Sequence, residues 1–234
     1  MLHRGRLLPV FSACLLLAAC TPPAAVSPPS TMPGSVRVDT PANTEKLLQI
    51  DTQATLVTIT VRRGGALARL GHDHVVASRT VTGWVAPELG QADVQFRLDA
   101  MTVDESGLRA QAGLETTPSS DAIAGTRHNM LVRVLDADRY PLVRVQATLQ
   151  PGARAVDAAI TLHGVTRTVT APIRLEQAVD GKSLRASGAF VLKQSDFGIV
   201  PFAILGGAMA VQDPMELAFA IQASAPGSGA APAR

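Results

Sequence analysis

The feature that most constrains the fold is a two-residue alternation that runs through residues 156–177. Val165, Val169 and Ile173 fall on one parity, and Thr166, Thr168 and Thr170 fall on the other. This period is typical of a β-strand with one drier and one wetter face. Valine and threonine are β-branched and fit a pleated surface. The segment therefore predicts a half-buried strand pair.

A turn divides this segment at His163-Gly164. Glycine supplies the backbone freedom that a tight turn needs. We predict two antiparallel strands, at about 156–163 and 166–177, joined by this turn. Pro172 has no N–H to donate, so we expect it at a sheet edge, a bulge or a bend.

Similar alternation recurs along the chain, with short connections and no alternating strand–helix units. The further predicted strands are 47–63, 74–85, 93–98, 142–149, 184–193 and 216–223. One short helix is predicted near Thr117–Asp121, with Ser119 or Ser120 as its cap. Seven to nine strands of this kind predict an antiparallel all-β domain, either a barrel or a sandwich.

The N-terminus has the features of a targeting segment. Arg4 and Arg6 precede an apolar run, Leu7 to Ala19, that is short for a permanent membrane span. The run ends in Leu-Ala-Ala-Cys20, which resembles the bacterial lipobox, in which the cysteine is lipidated. An ordinary secretory signal and an uncleaved anchor are the alternatives. Cleavage before Cys20 would remove Cys14 and exclude a disulfide.

These observations predict four regions. They are a lipoprotein signal peptide at 1–20, a Pro-rich tether at 21–45, a folded domain at 46–223 and a flexible tail at 224–234. The predicted location is the periplasm, with a lipid anchor in the cell envelope. Thr21 follows the cysteine. An aspartate at this position would favour retention in the inner membrane, so threonine favours the outer membrane.

Charge argues against a nucleic-acid partner. Of the 21 Lys and Arg residues, Arg4 and Arg6 lie in the leader, and the rest balance the 19 acidic residues. No basic patch alternates with aromatic residues. No cofactor motif is evident, and the sequence does not indicate the oligomeric state.

One histidine segment suggests metal chemistry. His72 and His74 share a strand face, and His128 or His163 could complete a site for zinc, copper or nickel. The alternative is a solvated or backbone-bonded role at a strand end. Asp73 could act as a general base, but no hydrolase signature and no free cysteine nucleophile accompany it. The sequence therefore predicts that the protein is not an enzyme.

Three segments together resemble the YceI-like family of periplasmic polyisoprenoid-binding proteins. They are LHGVTRTVTAPI at 162–173, LDADRYP at 135–141, and GAF at 188–190 followed by SDFGI at 195–199. Their order and separation also fit, over about residues 46–223. The resemblance implies a lipocalin-like closed antiparallel barrel of about eight strands, whose tunnel takes an isoprenoid chain such as a quinone tail or a polyprenyl phosphate.

The chain departs from the family pattern in several places. Asp51–Ala54 stands where the family usually has a His-Ser pair, and residues 70–74 stand where many members have a Lys-His pair. The family's helix rich in aspartate and arginine is reduced to Ser120–His128. Several positions that are aromatic in the family hold Ala or Val.

The leading hypothesis is therefore a lipoprotein that carries or sequesters an apolar isoprenoid lipid and is held to the membrane by Cys20. The alternatives are a periplasmic metal-binding or redox-accessory protein using His72, His74 and His163, and a structural envelope protein with a filled interior. Alternation alone does not decide which face points inward. The candidate lining residues are Val57, Ile59, Val61, Phe96, Val145, Ile173, Phe190 and Phe219.

Overall fold

The computed structural model describes residues 47–226, and thirteen strands lie within that range. The leader with Cys20, the tether, and residues 227–234 of the tail lie outside the described residues. The strands are β1 (Leu48–Ile50), β2 (Leu56–Gly64), β3 (His74–Ser78), β4 (Thr82–Ala86), β5 (Gln91–Arg97), β6 (Thr102–Val103), β7 (Leu142–Thr148), β8 (Ala155–Leu162), β9 (Val165–Pro172), β10 (Arg174–Gln177), β11 (Ser183–Lys193), β12 (Ala203–Ile204) and β13 (Met209–Ser224).

All the strands belong to one antiparallel sheet. Its main path runs β6-β3-β2-β13-β1-β4-β5-β7-β8-β9. Strand β10 pairs with β11, while β11 and β12 both pair with β13. The long strand β13 thus bonds to four neighbours, β1, β2, β11 and β12. The predicted antiparallel all-β class is confirmed.

The prediction of a closed barrel of about eight strands is wrong in two respects. The described sheet has thirteen strands, and no ladder joins β9 to β11, so its hydrogen-bonded path is not closed. Turns and a proline divide runs that alternation predicts as single strands. A turn after Asp51 separates β1 from β2, and residues 79–81 divide the predicted strand 74–85 into β3 and β4. Pro172, which has no N–H, ends β9 just before Ile173 and β10.

A buried turn packs beside the gap between β9 and β11. The 3-10 turn Gln194–Phe197 contacts both of these strands and β13. The Phe197 side chain is 0% exposed and joins the main core with Ile199. Apolar packing therefore completes the wall where ladder hydrogen bonds do not.

Two α-helices occur among the described residues, where the sequence predicted one. The predicted helix is α2 (Ser120–His128), and the side chain of Ser119 caps it by accepting a hydrogen bond from the N–H of Ala122. A π-helical turn, Asn129–Val134, continues it. The six-residue helix α1 (Ser106–Gln111) was not predicted. Within residues 47–226, no helix has the length and apolarity needed to cross a bilayer.

The predicted hairpin is confirmed as β8 and β9. His163 and Gly164 both have positive φ, 52° and 74°, as a two-residue hairpin turn of type I′ requires. The His163 ring packs edge-on against Tyr140 at 4.7 Å between centroids. A Cβ atom on Gly164 would lie 2.6 Å from Cε1 of Tyr140. The turn therefore needs glycine both for its conformation and for this contact.

Gly164→Ala is expected to lower the free energy of unfolding by about 1–3 kcal/mol more than Gly152→Ala, as overpacking against Tyr140 is added to the strain of positive φ. Gly152 is the matched control, because its φ is 77° and a Cβ there would meet nothing within 4 Å. Chemical denaturation of both variants measures the difference. Equal losses would show that the Tyr140 contact contributes nothing.

Candidate ligand-binding cavity

The inward faces of the strands surround one elongated cavity of about 410 Å³. This volume lies in the range of ligand pockets, about 300–1,000 Å³. Strand β8 lines it along its length, from Val156 to Leu162. At about 3.4 Å per residue, that contribution alone extends about 20 Å. The interior is therefore not filled by side chains, and its long shape suits a chain-like molecule.

The structure places all eight predicted lining residues on the wall of this cavity. They are Val57, Ile59, Val61, Phe96, Val145, Ile173, Phe190 and Phe219. Phe190 and Phe219 come from the paired strands β11 and β13, and their rings meet edge to face at 6.4 Å. The apolar parity of these strands thus faces inward.

The wall is apolar and almost free of ionisable groups. No Lys, Arg, Asp or Glu is among the described residues that line the cavity, and His74 is the one titratable residue there. Uncharged polar side chains contribute the remaining polarity of the wall. These are Gln91, Thr126, Asn129, Gln177 and Gln194.

The two ends of the cavity differ. At one end the wall includes Gln91, Leu175 and Gln177, all exposed to solvent, with Leu175 42% exposed. We call this the open end. At the other end α2 and the π-helical turn contribute Thr126, Asn129 and Met130, which are partly buried, and β3 contributes His74. We call this the capped end.

A buried charged network supports the capped end. Nδ1 of His74 lies 2.6 Å from Oδ2 of Asp104, whose side chain is 0% exposed. The other carboxylate oxygen accepts hydrogen bonds from Arg109 at 2.6 Å and from the N–H of Val75 at 3.1 Å. Arg109 also donates to the carbonyl oxygens of Asp73 and Thr116. Each buried charge in the network therefore has a partner, as buried ions require.

These contacts determine the ionisation of Asp104. Burial by itself would raise its pKa, but hydrogen bonds from His74, Val75 and Arg109 outweigh burial and hold the pKa below the ordinary value. The carboxylate is therefore ionised near neutral pH. An ionised carboxylate accepts hydrogen bonds only, so Nδ1 of His74 carries the proton between them. Nε2 of His74 then lies toward Thr126, with 3.5 Å between Nε2 and Oγ1.

The three histidines of the metal hypothesis do not form a site. His74 binds Asp104, His163 packs on Tyr140, and the described residues contain no group of three or more side chains suited to hold a metal ion. The carboxylate of Asp73 accepts from the N–H of Arg63 at 2.8 Å. It is therefore turned toward β2, which leaves the suggested general base without support.

Sequence patterns missed the polar residues of the capped end. Thr126 and Asn129 lie on a helix that packs over the interior, where strand alternation carries no information. The sequence suggested His74 as a metal ligand. It did not indicate the partner of His74, Asp104, which lies thirty positions further along the chain. The positive φ of Asp104, 57°, leaves no signal in the sequence beyond the residue type.

Comparisons with known proteins agree on one family. The model of the YceI-like domain matches residues 48–223. No curated protein matches the chain. A polyisoprenoid binding domain from Saccharophagus degradans has a similar structure, with a TM-score of 0.54 and 12% identity over 76% of this chain and 98% of that one. BcnA of Burkholderia cenocepacia gives a TM-score of 0.50 and 15% identity over 75% and 99%. At these identities the structural likeness shows the fold alone.

Asp104→Asn is expected to lower the free energy of unfolding at neutral pH by about 3–5 kcal/mol, since Arg109 would keep its buried charge without a counter-ion. The pKa of Asp104 is lowered from 3.8 in the folded state. The stability that ionised Asp104 contributes is thus fully present above its pKa in the unfolded state, and it is lost as the pH falls through its pKa in the folded state. The variant should therefore lose less stability than the wild type on acidification below about pH 5.

Denaturation curves at several pH values test this expectation. Asp99→Asn is the control, because the hydrogen bond from Arg97 also lowers the pKa of Asp99, but both side chains are about half exposed. Solvent weakens such pairs, so little change is expected. If the two variants behaved alike, the buried network would not be a source of stability.

Proposed function

The chain belongs to the YceI-like family, and on this premise we propose that it is an envelope lipoprotein that binds an isoprenoid-type lipid in its cavity. The ligand class is a quinone or polyprenyl chain, and the protein acts as a carrier or a sequestering protein. Binding requires no chemistry at the ligand, so the proposed role is not enzymatic.

The elongated apolar cavity carries this proposal. Its wall is built of aliphatic and aromatic side chains from nearly every long strand. Moving an apolar chain from water into such an environment gains about 0.8 kcal/mol for each buried CH₂ group. A chain of several isoprene units would therefore gain more than association and ordering cost, which is about 4–15 kcal/mol. The similar domain from Saccharophagus degradans is described as a polyisoprenoid binding domain, which supports the same ligand class.

The position of the first described residue, Leu47, supports the carrier role. Leu47, the first described residue, packs against Trp84 and Ala86, and Leu48 pairs with Val85. Both Val85 and Ala86 line the cavity. Val85 and Ala86 end β4, and the following strand, β5, begins at Gln91, which lies at the open end of the cavity. A lipid anchor at Cys20 would thus be connected to the domain at its open end, where a ligand would enter from a membrane.

Protein purified from its native membrane environment is expected to release an isoprenoid lipid into organic solvent, detectable by mass spectrometry. Ala158→Phe should reduce the amount recovered, because Ala158 is buried on the cavity wall and the ring would enter the cavity.

Ala159→Phe is the matched control for this experiment. Ala159 is the next residue on β8 and points to the opposite face of the sheet. It does not line the cavity among the described residues. Recovery equal to that of the wild type is expected for the control. No lipid from the wild type, or equal recovery from the two variants, would contradict binding in the cavity.

Replacing Cys20 tests the anchor separately. The wild type is expected in the membrane fraction and to incorporate radiolabelled palmitate, whereas Cys20→Ser should lose the label, since serine offers no thiol for the thioether. Cys14→Ser, within the same leader, is the control and should keep both properties. Labelling of Cys20→Ser at the wild-type level would exclude Cys20 as the lipidated residue, and a wild type without label would exclude the lipoprotein assignment; neither result affects the proposed ligand.

A further inference from the structure

We propose that the capped end of the cavity binds the head group of the isoprenoid, and that this head group is uncharged and carries a hydroxyl or carbonyl oxygen. Prenyl alcohols, quinols and quinones have such a group, whereas polyprenyl phosphates do not. The inference rests on the proposed function and narrows its ligand class.

The polar groups at the capped end are arranged to meet a ligand oxygen. His74 lines the cavity, and because the Nδ1 of its ring is bound to Asp104, Nε2 is the nitrogen left for a ligand. Its contact with Oγ1 of Thr126, at 3.5 Å, is at the long limit for a hydrogen bond. The side-chain amide of Asn129, also on the wall, makes no hydrogen bond to another described residue. A ligand oxygen would therefore complete bonds that the protein leaves weak or unmade.

The hydrogen bonds of His74 determine which of its ring nitrogens can meet a ligand. Because Nδ1 donates to the Asp104 carboxylate, Nε2 is the ring nitrogen left for a ligand, and without a proton it accepts a hydrogen bond from a hydroxyl group. The Thr126 hydroxyl and the Asn129 amide can donate, and these pair with a carbonyl oxygen. The capped end can thus bind either an alcohol or a carbonyl compound.

The charge distribution argues against a phosphate at the same position. A phosphate would need cationic partners, and no Lys or Arg lines the cavity among the described residues. Arg109 is behind His74 and is engaged by Asp104 and two backbone carbonyls. Arg127 donates to the carbonyls of Met101 and Asp99. A buried phosphate would therefore lose its hydration without an ion pair in return, which is costly.

Three probes with tails of the same length separate these ligand classes: a prenyl alcohol, its monophosphate and the hydrocarbon that lacks a head group. Each is titrated against a fluorescent apolar dye bound to the delipidated protein. The wild type is expected to bind the alcohol about tenfold more tightly than the hydrocarbon, as two or three added hydrogen bonds would give. The phosphate should bind no more tightly than the hydrocarbon.

Two variants test whether the preference for the alcohol over the hydrocarbon arises at the capped end. His74→Leu and Thr126→Val should each bring the ratio of alcohol to hydrocarbon affinity close to one. His72→Leu is the matched control, since His72 is two residues away and does not line the cavity, and its ratio should equal that of the wild type. Thr126→Val preserves the shape of the side chain, so it still tests the head-group assignment if His74→Leu fails to fold.

The outcomes distinguish this inference from the function on which it rests. If the phosphate binds tightest, or if neither variant alters the wild-type ratio, the head-group assignment is wrong while lipid binding stands. If none of the three probes displaces the dye, the proposed function itself is wrong. A ratio that falls in both variants and not in His72→Leu supports the assignment.

Discussion

The register of β13 is the constraint on which the rest of the structure depends. On one side it aligns Leu217 with Ile59, and on the other it aligns Leu217 with Phe190. All three side chains therefore face the same cavity. Because side chains alternate between faces, a slip of one residue would turn the apolar set of β13 toward solvent. The sixteen-residue length of the strand makes such a slip costly, since it would break ladders with four neighbours at once.

The cavity follows from this register together with a shortage of large side chains. Aromatic residues are 3% of the sequence, and small residues such as Ala158, Ala171 and Ala186 occupy inward positions. The curvature of a hydrogen-bonded sheet fixes how far apart opposite walls lie, so small side chains cannot meet across the interior. The space is retained because the ladder hydrogen bonds, and the packing of Phe197 beside the gap, resist collapse.

Several features were predictable because they depend on neighbours in the sequence. The His163-Gly164 hairpin and the Ser119 cap are local, and both are confirmed. Alternation also identified the strands, although the turn after Asp51, residues 79–81 and Pro172 divided three of them. The number of strands and the closure of the sheet were predicted wrongly, because whether a bend interrupts a ladder depends on the partner strand. Helix α1 has six residues, too few for a periodic signal.

What the sequence determined by itself is the period of each strand and the chemical character of its two faces. Which face is inward, and what lies at each end of the interior, was decided only by the tertiary structure. Asp104 and Arg109 reach His74 because the β3–β6 pair and α1 bring distant segments together. No local pattern encodes that approach, since the contact arises from long-range pairing. The physical reason is that backbone conformation is set largely by adjacent residues, whereas a cavity is formed by residues that meet only when the sheet curves.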